Sequence, residues 1–172
     1  MKDVANKVGV HSSTVSRVLN PDTRKMMTEE IAEKILKVAA EMGYRPNAFA
    51  QSLKTNRSFT VGVMVPDLTN PAFAPIIKGI DNMLEAHGYS VIVANTYNLP
   101  DKQQSTAEKF RERHVDGLII ATAQRKDKLI EDCRREGTPF VQAVRASNDT
   151  DVSSVLSDEH IGGNMVISHL AQ

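Results

Sequence analysis

Ser12, Ser13, Ser16 and Arg17 are the residues whose types and spacing most directly suggest chemistry. Ser13 and Arg17 are four apart, so on a helix they share one face. Hydroxyls bond phosphates or base edges, and an arginine can clamp a guanine edge with two bonds, so a short polar face ending in arginine suits the DNA major groove. The other groups able to do chemistry lack such an arrangement. His11, His87, His114, His160 and His169 are scattered, and Cys133 is the only cysteine. No Gly-x-Gly-x-x-Gly, P-loop, Gly-x-Ser-x-Gly or His-Glu-x-x-His occurs. Catalysis, a metal and a cofactor are therefore not expected.

The polar face needs two short helices to hold it. Residues 4–20 supply them, with a first helix from about Asp3 to Lys7 and a second from about Ser12 to Asn20. Ala5 is small enough for a close crossing, and Gly9 allows the tight turn at little cost. Val4, Val8, Val10, Val15 and Val18 can pack between the two helices. Valine-rich helix pairs also occur in ordinary bundles, so the pattern alone leaves a structural reading open. Residues 21–27 read as a loop. Thr28 is expected to cap a third helix with Glu29 and Glu30 in its first turn. Ile31, Ile35, Val38 and Met42 give that helix its apolar stripe, and Gly43 ends it.

Pro46 holds the residues before it extended. Residues 48–54 can make two helical turns, too few to be stable alone. Residues 55–58 are a polar linker. Beyond it, strand and helix patterns alternate. Val63, Ile92, Ile119 and Val141 stand 29, 27 and 22 residues apart, the rhythm of βα units on a parallel sheet. Strands are expected at 60–65, 91–93, 118–120 and 139–141, with a short fifth near Val155-Leu156. Helices are expected at 72–87, near 101–113, near 126–136, and from Asp158 to the end.

The chain has 172 residues, 41% hydrophobic and 24% charged, the composition of a soluble globular protein. No apolar run approaches the ~20 residues of a membrane span, and no secretory signal is visible at the start. A cytoplasmic location, with no membrane partner, is therefore expected. The net charge of zero conceals an asymmetry. Residues 1–60 carry ten Lys/Arg against six Asp/Glu, and residues 61–172 carry eleven against fifteen. A basic first third and an acidic remainder suit one DNA-facing unit and one that faces something else.

In this order the pieces resemble the lactose-repressor/galactose-repressor family of bacterial transcription regulators. The resemblance is carried by Asp3-Val4-Ala5 with Gly9-Val10, by residues 14–20 (Thr-Val-Ser-Arg-Val-Leu-Asn), and by residues 43–48 (Gly-Tyr-Arg-Pro-Asn-Ala). It continues in Val61-Gly62-Val63 with Pro66-Asp67 and Asn70-Pro71-Ala72-Phe73, and in residues 115–120 (Val-Asp-Gly-Leu-Ile-Ile). It implies an α/β protein with a three-helix DNA-binding head over 1–46, a hinge helix and linker over 47–59, and the first subdomain of a periplasmic-binding-protein-like effector domain over 60–172.

The resemblance also implies roles. The regulator, of the repressor type, would bind a palindromic operator in double-stranded DNA as a homodimer and respond to a small-molecule effector, a sugar or related metabolite. Ser12, Ser13 and Arg17 would read bases. Thr14, Ser16 and Asn20 would contact phosphates, which position without specifying, with Tyr44 and Asn47 near the DNA backbone. Leu53 would wedge a base step in the minor groove, and Ala50 would allow the close approach; packing of Leu53 into the second domain is the alternative. Asp67, Asn70, Phe73, Arg145 and Asp158 would face the effector, with Phe73 stacking on its ring. Each has a plain structural alternative: a turn for Asp67, core packing for Phe73, an N-cap for Asp158, a surface ion pair for Arg145.

The chain also departs from the family pattern. No threonine precedes Asp3 to cap the first helix. His11 stands where a serine usually caps the second, leaving Ser12 to take that role. Ile31-Ala32 replace a common Thr-Arg, and Ala143-Val144-Arg145 replace a strand end in Asp-Arg. Only the first half of such a regulator is spanned. A truncated chain, unable to form a closed effector site or the family's full dimer contacts, is the expectation. The competing function is a small-molecule (sugar) binding protein without DNA-binding activity.

Overall fold

The computed structural model describes residues 1–44 and 57–171. Asn47, Ala50 and Leu53, with the expected hinge helix, lie outside the described residues. The chain divides into two compact units, Met1–Thr55 and Asn56–Gln172.

In the first unit, α1 (Lys2–Val8) ends at Gly9, whose φ of 80° is left-handed. The Gly9 and Val10 amides both donate to the Ala5 carbonyl, at 2.9 and 3.0 Å. That closure turns the chain into α2 (Ser12–Leu19). A residue with a Cβ would be strained at Gly9. A single turn, α3 (Pro21–Arg24), follows where sequence reading placed only loop. Proline at the first position suits a helix start, because its missing N–H would have no partner there. Helix α4 (Glu29–Glu41) starts after Thr28, but the Thr28 side chain makes no capping bond, contrary to expectation.

The head core consists of Val4, Ala5, Val8, Val15, Val18, Ala32, Ile35 and Ala39. Ile31 and Val38 of the expected α4 stripe pack at its edge, whereas Met42 is 40% exposed. The small residues Ala32 and Ala39 take the buried positions because they let α1 and α2 lie close.

The second unit is a five-stranded parallel sheet in the order β2-β1-β3-β4-β5. Its strands are β1 (Thr60–Val65), β2 (Ser90–Asn95), β3 (Gly117–Ile120), β4 (Phe140–Ala143) and β5 (Ser154–Val155). Its helices are α5 (Phe73–Ala86), α6 (Pro100–Glu112), α7 (Lys128–Glu136) and α8 (Glu159–Leu170). Strand alternation sends Val63 and Val65 to one face with Phe73, and Met64 to the other with Phe110, Leu118, Ile120, Leu129 and Ile130. Helix α5 covers the first face and α6 with α7 the second. Gly62 is required by this packing: a Cβ there would stand 2.5 Å from the Phe110 ring.

Asp116 fixes the start of the sheet. Its Oδ1 accepts from the Ser58 amide at 2.8 Å and its Oδ2 from the Phe59 amide at 2.9 Å. Helix α8 buries none of its residues, and Ile161, Met165, Val166, Ile167 and Leu170 are all exposed. Among the described residues no helix is long and apolar enough to cross a membrane.

Candidate DNA-reading helix and effector cleft

Helix α2 is pinned by its inner face. Val15 and Val18 are fully buried, so the opposite face turns outward. Ser13 and Arg17 lie on it, both exposed, while Ser12, Thr14, Ser16 and Asn20 are half-buried. The helix begins on His11, whose Nδ1 accepts the Ser13 amide at 3.3 Å and sits 2.8 Å from Ser13 Oγ. The cap is therefore His11 and not Ser12. An unprotonated ring nitrogen is an acceptor, and His11, in extended backbone outside the helix, can reach the second helical amide.

The other end of α2 is closed by α3. Thr23 Oγ1 donates to the Arg17 carbonyl at 2.8 Å, and Arg24 Nε donates to the Val18 carbonyl at 2.7 Å. Sequence reading missed both residues because it treated 21–27 as a connection. Tyr44 packs against the head core, and its amide donates to the Ala39 carbonyl at 2.9 Å, closing α4.

In the second unit the sheet order reverses at β1, placing β1 and β3 side by side with their helices on opposite faces. Ligands of such sheets bind at the carboxyl ends of the strands beside this reversal. Arg145 and Asp158 line one open concavity of about 700 Å³ at that end, with Arg125, Val144, Ser157 and His160. Asp67, Asn70 and Phe73 are not on its lining.

Asp67 makes a turn: its Oδ1 accepts from the Thr69 amide at 2.9 Å and from Thr69 Oγ1 at 2.7 Å. The Thr69 bonds favour the charged carboxylate and lower its pKa. Asn70 Oδ1 accepts the Ala72 amide at 3.0 Å. Asp158 Oδ1 accepts the Ile161 amide at 2.9 Å, the N-cap of α8. Phe73 is 5% exposed and packed with Val63, Val65 and Ala121. These contacts match the core packing given as the plain alternative to stacking on an effector.

Arg145 takes an unexpected partner. Its Nη1 donates to Asn98 Oδ1 at 2.9 Å, reaching from the end of β4 to the loop after β2. Its backbone leaves β4 through a tight turn. The Arg145 amide donates to the Ala143 carbonyl at 2.7 Å, and Val144 between them has φ 67°. A β-branched residue there is strained. Tyr97 and Asn98 also have positive φ, 55° and 56°. Among the described residues no group of three His, Cys, Asp or Glu is arranged to hold a metal.

A helix-turn-helix head with an exposed Ser/Arg face is followed along the chain by a parallel βα lobe with a polar concavity at its strand ends. Residues 1–47 match the model for bacterial regulatory proteins of the lacI family, and residues 58–172 match that for periplasmic binding proteins and the sugar binding domain of the LacI family. The chain belongs to the LacI family.

The ribose operon repressor of Escherichia coli (strain K12) is 31% identical over 171 residues, covering 99% of this chain and 51% of that protein. The HTH-type transcriptional regulator KdgR of Bacillus subtilis (strain 168) is 35% identical over 159 residues, covering 92% and 46%. Among solved structures, the lac repressor dimer bound to operator and the anti-inducer ONPF aligns with TM-score 0.82 and 25% identity, covering 98% of this chain and 51% of that one. The chain thus spans about half the length of the curated relatives it matches.

Proposed function

We propose that this chain supplies the DNA-reading head and the first half of the effector-sensing domain of a sequence-specific transcription regulator of the repressor type. The observation that carries this reading is α2: its valines are buried while Ser13 and Arg17 are exposed on one face. Ser12, Ser13 and Arg17 read base edges in the major groove. Thr14, Ser16, Asn20, Tyr44 and Asn47 hold the DNA backbone. Two copies meet on a palindromic operator, with Ala50 and Leu53 in its central minor groove. The similar lac repressor structure is a dimer bound to operator and an anti-inducer, which supports this arrangement. The work is done where the genome is, in the cytoplasm, and no enzymatic role is proposed.

The effector is a sugar or related metabolite, taken at the strand ends by Arg145 and Asp158, with Asp67 and Asn70 on the loop after β1. The sugar-binding description of the matched domain supports the ligand class.

The test is titration with heterogeneous duplex DNA at rising salt. Steep loss of affinity is expected, because each phosphate contact releases counterions. No binding at low salt would leave only the ligand-binding reading.

A further inference from the structure

We infer that Thr23 and Arg24 are positioning residues for base reading by Arg17, a role that rests on the DNA-reading proposal above. The last carbonyls of a helix have no partner inside it. Many helices close them with a left-handed residue just past the end. Helix α2 does not: Asn20, at its C-cap, is extended, with φ −92° and ψ 119°. Side chains from α3 do the closing instead. Thr23 Oγ1 bonds the carbonyl of Arg17 itself, and Arg24 Nε bonds that of Val18. The Arg24 amide also donates to the Asn20 carbonyl at 2.9 Å. The Arg24 cation lies at the negative end of the helix dipole, where it is favoured.

The location of these bonds gives them functional weight. Helix α2 has eight residues and Arg17 is third from its end. So short a helix has little intrinsic stability, and its ends fray first. Fraying of the last turn would free the backbone of Arg17 and blur the geometry of a two-bond base contact. The closing bonds prevent this at the end of the helix. Arg24 therefore acts on DNA through Arg17, in a way its charge alone cannot replace. Lysine would keep the charge but lose the planar Nε–H.

The experiment uses the full chain and a randomised palindromic duplex library. Bound sequences are selected and counted for the unchanged chain and for Arg17→Ala, Thr23→Ala, Thr23→Ser, Arg24→Ala and Arg24→Lys. Thermal melting of each variant reports its folded fraction. We expect Thr23→Ala and Arg24→Lys each to lower enrichment at the base positions that Arg17→Ala erases, by about 3- to 10-fold, the scale of one lost hydrogen bond. Other positions keep their preference. The salt slope on sonicated heterogeneous DNA is expected to stay unchanged, because no phosphate contact is lost. Thr23→Ser restores the enrichment.

Unchanged enrichment in Arg24→Lys would reduce Arg24 to a charge and overturn the inference. Equal weakening of library and heterogeneous DNA, in step with a lost folded fraction, would reduce both residues to fold stability and also overturn it. Absence of any enriched sequence for the unchanged chain would sink the DNA-reading proposal itself, a distinct failure.

Discussion

His11 Nδ1 accepts the backbone amide of Ser13, so the helix proposed to read DNA starts on an imidazole. The same nitrogen lies 2.8 Å from Ser13 Oγ and orients the hydroxyl proposed to meet DNA. His11→Ala is expected to lower head stability by about 1 kcal/mol, the usual value of an N-cap. His11→Ser, which restores a capping oxygen, is expected to recover most of it. Thermal melting of both variants measures this, and equal losses would show that the cap contributes nothing.

Arg17 is exposed on α2 while its neighbour Val18 is fully buried. Arg17→Ala is expected to cost about 1–3 kcal/mol against the preferred sequence, the value of a bidentate base contact. Competition between the preferred duplex and scrambled duplexes is the measurement. Equal weakening on both would assign Arg17 to the phosphates.

Leu53 lies outside the described residues, and its wedge role is a proposal. Leu53→Ala is expected to reduce the bend of bound operator, because an inserted side chain is what props a base step open. Gel mobility of circularly permuted duplexes reads the angle. An unchanged angle would end that role.

Cys133 is fully buried on α7, and burial is the main cause that pushes its thiol up to about 11. The thiolate is the reactive form. Folded protein is therefore expected to resist a thiol-specific reagent at pH 8, and protein in denaturant to react at once. Rapid labelling of the folded chain would mean that α7 opens easily.

Asp149 has its pKa lowered from 3.8, first by the hydrogen bond from Arg134. A depressed folded value means the folded state favours the charged carboxylate. The resulting stability is present above the ordinary carboxylate range and is lost as pH falls through it and below. Asp149→Asn should therefore flatten that part of the acid melting curve, weakly, because the pair is at the surface. Superimposable curves between pH 5 and 2 would show that the pair is silent.

The order of elements was legible in the chain because local physics writes it. Valines at helical spacing around Gly9 are enough to define a helix pair. The 22- to 29-residue spacing of apolar runs is enough to define βα units, since each strand must bury its side chains and each crossover needs a helix. The shared face of Ser13 and Arg17 was legible for the same reason: i and i+4 lie together on a helix whatever lies around them.

Three features required the folded molecule. Phe73, for which the family resemblance suggested stacking and plain packing was the alternative, is closed in by Val63, Val65 and Ala121. Its neighbours come from β1 and from the end of β3, so its exposure depends on strand order. Arg145 meets Asn98 across 47 positions of chain, a pairing that exists only because β2 and β4 flank β1 and β3 in one sheet. Thr23 and Arg24 close α2 because a turn folds back on it, where composition suggested only a connection. Sequence by itself determined the local periodicities and hence the kinds of element. Tertiary structure decided which polar groups face solvent and which are already committed to a neighbour, because that depends on contacts between segments distant in the chain.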